Sequence, residues 1–195
     1  MTPDDYFTLH LPHRVNLLTA FRARFGPKPA SDGRPRLNAE DFRDLFRCSK
    51  DIAMLMVRFF CGEMGLYLPK RNQGKHGGTE LEESTKWCHQ PQIKVLRFTE
   101  AEAKADKVKY HKLLAVMIAA NRAVAHVNPA DVDHPIRTAK EEDELCDVID
   151  WIEELIQSHI YEPNNRHLKD AMKHPWNVMV SAQQQRAHGA ADPAK

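Results

Sequence analysis

Apolar side chains recur at three- and four-residue intervals along most of the chain, which is the pattern of amphipathic α-helices. Four stretches carry this pattern: residues 12–25, 38 to about 66, 99 to about 126, and 138 to about 161. Because short connections join most of them, we predict an all-α fold, a bundle of four or more helices.

Signals at the ends of these stretches support the assignment. Pro12 suits the first turn of a helix, and Asn38 is a favourable N-cap residue. Thr99 and Thr138 each precede a glutamate by three residues, the spacing of a capping box. Asn128-Pro129 is expected to end the third helix, because the residue before a proline disfavours helical geometry.

The remaining segments are weakly patterned. Residues 26–37 are rich in Pro, Gly and Arg and are predicted to be a loop. Residues 93–98 fit either a short extended segment or a helix. The polar, Ala-rich residues 181–195 are predicted to be a disordered tail. The length suits one domain, which we place at residues 1–180.

A glycine-rich basic loop is predicted at residues 69–79. Lys70, Arg71 and Lys75 fit contacts to the phosphates of a nucleic acid, and a plain flexible linker is the alternative.

The net charge of +1 argues against a whole-protein surface for polyanions, but the charge is unevenly distributed. Residues 1–75 hold thirteen Lys and Arg against eight Asp and Glu, whereas residues 141–154 hold eight acids and no base. A basic face and an acidic fourth helix are therefore expected.

No run of eighteen apolar residues occurs, so we expect no membrane span. The acidic start Met1–Asp5 has no apolar stretch behind it, which favours a cytoplasmic protein with reduced thiols. Cys48, Cys61 and Cys146 lie in apolar helical contexts and are expected to be buried and inert.

Motifs for metals and cofactors are absent from the sequence. No CxxC, HExxH, GxxxxGK[ST] or GxGxxG occurs, so we expect neither a metal nor a cofactor. His134, His167 and His174 lie in loop-like segments, and their convergence on a zinc ion is the open alternative.

The third predicted helix carries the residues that suit chemistry. One face of it bears His111, Ala115, Ile118, Arg122 and His126. Arg122 and His126 are one turn apart, so both heads can approach one phosphate, and Asn121 can orient the site from its edge. An imidazole can exchange a proton with a ribose 2′-hydroxyl or a leaving 5′-oxygen, while a guanidinium holds the phosphate. Alternatively, Arg122 pairs with the acidic helix and His126 caps its own helix.

The stretch Lys109–His126, followed by a loop and an amphipathic helix that includes Trp151 and Tyr161, resembles the HEPN superfamily. The family signature is an arginine, usually followed by a polar residue, and a histidine after four to six intervening positions. Here three residues intervene and the polar Asn121 precedes the arginine.

The resemblance implies a helical bundle acting as a metal-independent endoribonuclease of toxin–antitoxin or defence systems. A symmetric homodimer would bring two pairs of Arg122 and His126 into one cleft, with RNA as the substrate and an antitoxin as a further partner. His126 is then the general acid or base, Arg122 binds the scissile phosphate, and Asn121 positions them. His111, about 16 Å along the helix from Arg122, is expected to contact substrate in the groove. The rival hypothesis is a non-catalytic helical module that binds a partner through its acidic helix or basic loops.

Overall fold

The computed structural model describes residues 2–26, 39–69, 80–84, 92–123 and 138–173. Its elements are α1 (Pro3–Asp5), an N-terminal π segment (Tyr6–His10), α2 (Leu11–Phe25), α3 (Ala39–Glu63), β1 (Leu66–Tyr67), β2 (Glu82–Glu83), α4 (Glu100–Ala105), α5 (Lys107–Ala123), α6 (Ala139–Ile156), a C-terminal π segment (Gln157–Tyr161), a 3-10 turn (Glu162–Asn164) and α7 (Leu168–Met172). The predicted all-α class is confirmed. The tail predicted at residues 181–195 lies outside the described residues.

The long helices α2, α3, α5 and α6 run alternately up and down. Near the end of α2, Phe21 stacks on Phe46 at the start of α3, whereas Arg14 near the start of α2 covers Phe59 toward the end of α3. These two helices are therefore antiparallel.

The same logic orients the other helices. Lys109 and Lys112 of α5 pair with Glu154 and Asp147 of α6, respectively. Residue numbers therefore rise along α5 in the direction in which they fall along α6, and the two helices are antiparallel. The N-terminal π segment packs on the C-terminal π segment, while Arg22 at the far end of α2 reaches the middle of α6. The arrangement is an up-down-up-down four-helix bundle.

The fourth predicted helix matches the structure closely. The side chains of Thr138 and Glu141 form the expected capping box at the start of α6. The buried face of α6 consists of Leu145, Cys146, Val148, Ile149, Ile152, Leu155 and Ile156. This stripe packs against α2, α3 and α5 and forms the centre of the apolar core.

The third predicted helix is broken in two, which the apolar pattern did not predict. Its capping box at Thr99 is confirmed, but Asp106 adopts an extended backbone and ends α4. The Asp106 carboxylate then accepts hydrogen bonds from the N–H groups of Val108 and Lys109, both at 3.0 Å. Asp106 thereby caps the start of α5 and turns the chain between two helices.

The predicted first helix corresponds to α2, which has Pro12 in its first turn as expected. The apolar pattern missed the helical backbone before it, which begins at Pro3 and continues into α2 through the N-terminal π segment. A proline ring clashes with the carbonyl four residues before it in an α-helix. The N-terminal π segment relieves that clash: the N–H of Leu11 bonds to the carbonyl of Tyr6, one residue further back than in an α-helix.

A second proline is accommodated in the same way. The N–H of Glu162, just before Pro163, bonds to the carbonyl of Gln157 across the C-terminal π segment.

The first π segment leaves one carbonyl without a backbone partner. In its wider register the carbonyl of Phe7 faces Pro12, which has no N–H. The buried hydroxyl of Tyr161 donates to that carbonyl at 3.1 Å and supplies the missing partner.

A small ribbon and an irregular strip complete the fold. Strands β1 and β2 pair antiparallel, Leu66 with Glu83 and Tyr67 with Glu82. The segment 93–98 is irregular and extended, which decides between the two predicted alternatives. It is held to the C-terminal π segment by the N–H of Leu96, which donates to the carbonyl of His159 at 2.8 Å. In the described parts of the chain, no helix is both long and apolar enough to cross a membrane.

Removal of the Tyr161 hydroxyl should destabilise the fold, because the buried carbonyl of Phe7 would lose its donor. We expect Tyr161→Phe to lower the free energy of unfolding by about 1–3 kcal/mol, measured by urea denaturation. Tyr67→Phe is the matched control, since that exposed hydroxyl donates only to Glu82 on the surface, and its cost should stay below about 0.5 kcal/mol. Equal effects of the two substitutions would contradict this account.

Candidate functional site

The last turn of α5 carries the first two residues of the predicted constellation. Asn121 is buried, with 4% of its surface exposed, and its Oδ1 atom has no hydrogen-bond partner among the residues that the structure describes. Arg122 follows in the same turn, and its side chain lies outside what the structure describes, as does His126. The structure therefore places the backbone of Asn121 and Arg122 and the Asn121 amide, and the meeting of Arg122 with His126 stays a prediction.

An unpartnered buried amide oxygen is unusual. Most buried polar atoms have a partner, and one without it costs roughly 1–3 kcal/mol. Asn121 is therefore poorly explained as a packing residue, because an apolar side chain would fill its place without that cost. The oxygen can accept a hydrogen bond from a guanidinium or an imidazole.

The helix face predicted to carry the site is open to solvent over its first three turns. His111 and Ala115 are exposed, and Val108 is exposed over 65% of its surface. The opposite face, with Leu113 and Met117, is buried in the core. His111 lies eleven residues before Arg122, about 16 Å along the axis, and its described ring contact is with Tyr110. His111 is thus accessible to solvent, and its predicted contact with substrate stays a prediction.

The predicted basic loop lies largely outside the described residues, and this includes Lys70, Arg71 and Lys75. The segment that follows it, residues 80–84, is held to the rest of the protein by two contacts. The N–H of Leu81 donates a hydrogen bond to the Tyr110 hydroxyl at 3.1 Å. The neighbouring Glu80 pairs with Lys104 at 3.2 Å. This anchor lies beside the start of α5, which is the opposite end of that helix from Asn121.

The acidic residues of α6 are largely engaged within the protein. Bases on three other helices pair with them: Arg22 with Asp150 and Glu153, Lys50 with Glu142, Lys109 with Glu154, and Lys112 with Asp147. Most of these pairs are exposed, so each adds little stability. The pairs nevertheless neutralise much of the acidic charge through which the rival hypothesis has α6 bind a partner.

One of these pairs is buried. Lys50 is 4% exposed, and its Nζ atom lies 3.2 Å from Oε1 of Glu142 in the first turn of α6. Its ammonium group also lies 4.6 Å from the centre of the Phe46 ring. Lys50 and Asn121 are the two buried polar residues of the described chain, and both lie toward the end of the bundle where α5 ends and α6 begins.

The sequence analysis missed His159, at the other end of the bundle. Its Nδ1 lies 2.8 Å from Oγ of Ser158, whose hydroxyl donates to the carbonyl of Glu154. The ring also packs edge-on against Phe98. His159 lies in the C-terminal π segment, whose geometry the apolar period of the sequence does not predict.

Burial of the His159 ring lowers its pKa below the ordinary 6.5, although Glu102 of α4, the carbonyl of Leu155 and Glu162 act in the opposite direction. Its neutral form is therefore favoured in the folded protein.

The cysteines follow the expected pattern with one exception. Burial raises the pKa of Cys61 to about 12 and that of Cys146 to about 11, so both are protonated and unreactive at neutral pH. Cys48 was predicted to be buried but is exposed, because its position in α3 faces away from the core. No group of three or more His, Cys, Asp or Glu that could hold a metal occurs among the described residues. Of the three histidines in the zinc alternative, His134 and His174 lie outside them.

Comparisons of the chain with protein-family models, with curated proteins and with solved structures find no match in any of the three.

Replacement of His159 should flatten the pH dependence of stability. The folded pKa lies below the unfolded value, so the unfolded chain takes up this proton first and stability falls as the pH drops through about 6.5. We expect the loss in free energy of unfolding between about pH 7.5 and about pH 5.5 to be smaller in His159→Asn, whose amide can still donate to Ser158. His111→Asn controls for loss of an exposed imidazole. An unchanged loss in His159→Asn would refute this role.

Proposed function

We propose that this protein is a HEPN-like, metal-independent endoribonuclease that acts as a homodimer in a toxin–antitoxin or defence system. The proposal rests on the Asn121-Arg122 pair in the last turn of α5 and on the histidine four residues beyond the arginine. The up-down helical bundle is compatible with the helical architecture of that superfamily.

The reaction would need no metal. The ribose 2′-oxygen attacks the adjacent phosphorus while one imidazole takes the 2′-hydroxyl proton. The bond to the 5′-oxygen breaks, and a second imidazole gives that oxygen a proton, which leaves a 2′,3′-cyclic phosphate and a 5′-hydroxyl. Arg122 would offset the charge that develops on the phosphate oxygens.

The single structural observation that supports the proposal is the buried Oδ1 of Asn121, for which the described part of the chain offers no hydrogen-bond donor. A carbonyl oxygen there can accept a hydrogen bond from Arg122 or from His126 and so fix the head that meets the phosphate. A buried acceptor without a donor has a cost, and such costs are found most often at functional sites.

A second subunit would supply the second imidazole. The exposed face of α5, with Val108, His111 and Ala115, offers a surface on which two copies can pack about a two-fold axis. Ala115 has no bulk to hold the helices apart, so it suits the centre of such a contact.

Loss of the imidazole should abolish cleavage without unfolding the protein. We expect His126→Ala to slow degradation of a mixed RNA pool by about 10²–10⁴-fold, with helical content and melting unchanged. Arg122→Ala should slow it by about 10²–10³-fold. His13→Ala, at an exposed histidine of α2, is the control and should cleave like the wild type. Unfolding of His126→Ala would assign that histidine a structural role, and an inactive wild type would refute the proposal for those substrates.

A charge at the centre of the α5 face should separate the subunits. We expect Ala115→Glu to halve the mass measured by light scattering and to reduce RNA cleavage, because two like charges would meet at the axis. Ala101→Glu, at an exposed alanine of α4, should leave both properties unchanged. A monomeric wild type would rule out this dimer.

A non-catalytic interaction module remains the second candidate. Four large apolar side chains are exposed in the described parts of the chain, namely Ile52, Tyr67, Leu96 and Val108, and Val108 in α5 is the most exposed of them at 65%. A dimer or a partner complex that persists while every RNA stays intact would favour this function over the first.

A further inference from the structure

We propose that the outer side of α3 binds the α3 of a second copy of this chain in antiparallel orientation. The function proposed above does not use this surface, so the inference neither rests on that function nor excludes the contact through α5. We call the surface the outer stripe, and it consists of Leu45, Cys48, Ile52, Leu55, Phe59 and Gly62.

Apolar residues occupy two opposite sides of α3. The inner side lies in the core of the bundle and includes Ala53, Val57 and Phe60. The outer stripe faces solvent: Cys48 is exposed, Ile52 is exposed over 36% of its surface, and the other members are partly exposed. A continuous apolar row in contact with water is typical of a surface that binds another protein.

The spacing of the outer stripe is that of a coiled-coil seam. Its six members are separated by three, four, three, four and three residues. This alternation keeps one line of side chains in front of a neighbouring helix, here over about 26 Å of α3. The occupant that fits the stripe is therefore another amphipathic helix.

Gly62 marks a place where that helix can come close. A glycine weakens a helix relative to alanine, so its presence near the end of α3 has a cost. A Cβ atom at Gly62 would meet no described atom within 4 Å beyond its own helix turn, so packing within the described chain does not require a glycine there. A large side chain of a second helix can fill the open space.

Side-chain sizes select the antiparallel orientation. In a parallel pair each residue meets its own counterpart, so two Phe59 rings would crowd one layer and two Gly62 residues would leave the next one empty. In an antiparallel pair the layers are Cys48 against Phe59, Leu45 against Gly62 and Ile52 against Leu55, each formed twice. Large side chains then meet small ones, and the contact is self-complementary about a two-fold axis.

The charges beside the stripe agree with this orientation. Asp44, Asp51 and Arg58 follow one another at intervals of seven residues, so they line the same edge of the stripe. An antiparallel pair brings this edge against itself in reverse, and Asp51 of each copy then lies beside Arg58 of the other. A parallel pair does not bring these two residues together. The charge pattern thus favours a second copy of this chain as the occupant.

A charge in the middle of the outer stripe should separate the two copies. The test uses the Ala115→Glu variant, which lacks the α5 contact and should have the mass of two chains in analytical ultracentrifugation. Addition of Ile52→Glu should reduce the mass to one chain with helical content unchanged, because a carboxylate would be buried in each central layer. Leu96→Glu is the matched control, since Leu96 has a similar exposure of 45% and lies outside α3. It should leave the mass at two chains.

Reversal of the flanking charges tests the orientation. Arg58→Asp should weaken self-association about tenfold, because two pairs of like charge replace two pairs of opposite charge. The combined Asp51→Arg and Arg58→Asp variant should restore it. Arg47→Asp is the control, because Arg47 is exposed on α3 but lies away from this edge, and it should have no effect.

Oxidative cross-linking gives a second measure of orientation. With Phe59→Cys, oxidation should join Cys48 of one copy to the introduced thiol of the other, as found by peptide mapping. The two Cys48 residues of an antiparallel pair lie about 16 Å apart, too far for a disulfide, so the wild type should show no bridge between them.

Three results would overturn the inference. A mass of one chain for Ala115→Glu alone would mean that a different partner or another segment of this chain covers the stripe. A mass of two chains after addition of Ile52→Glu would place the contact elsewhere. A bridge between two Cys48 residues in the wild type would show a parallel contact. The mass measurements remain decisive if Phe59→Cys fails to fold.

Discussion

The fold depends on α6 as a helix with two distinct faces. Its apolar stripe fills the centre of the bundle, while its acidic residues meet bases from α2, α3 and α5. Burial of the stripe supplies the main driving force, because it removes large apolar surfaces from water. The ion pairs add little energy at the surface but link each neighbouring helix to the same one. Much of the acidic charge of α6 is thus balanced by bases within the protein.

Local signals allowed the best predictions. The capping boxes at Thr99 and Thr138 and the buried face of α6 depend on residues three or four apart, so sequence spacing contains them. The break between α4 and α5 at Asp106 was not predicted, because the apolar period continues through this position. The hydrogen bonds of the Asp106 side chain reveal the turn only in the structure. Strands of two residues, as in β1 and β2, are too short to show any period.

Distant partners account for what the sequence could not show. Pro12 is tolerated inside a helical stretch because a π segment widens the turn and Tyr161, 154 residues away from Phe7, supplies a donor. Lys50 is buried because Glu142, 92 residues further on, neutralises it. At the candidate site, the sequence itself shows that Asn121 precedes Arg122. The burial of Asn121, however, depends on how α5 packs against the neighbouring helices. Whether such a residue is tolerated or buried depends on contacts between distant parts of the chain, which local sequence patterns do not contain.

The contact between the two π segments has a consequence for how the chain is made. Phe7 leaves the ribosome before the Tyr161 that covers its carbonyl, because 154 residues separate the two along the chain. Until then the apolar side of the first helical stretch lacks part of its cover, and contacts so distant in sequence are slow to form. During synthesis there is therefore an interval in which this helical stretch is exposed to aggregation or to a chaperone.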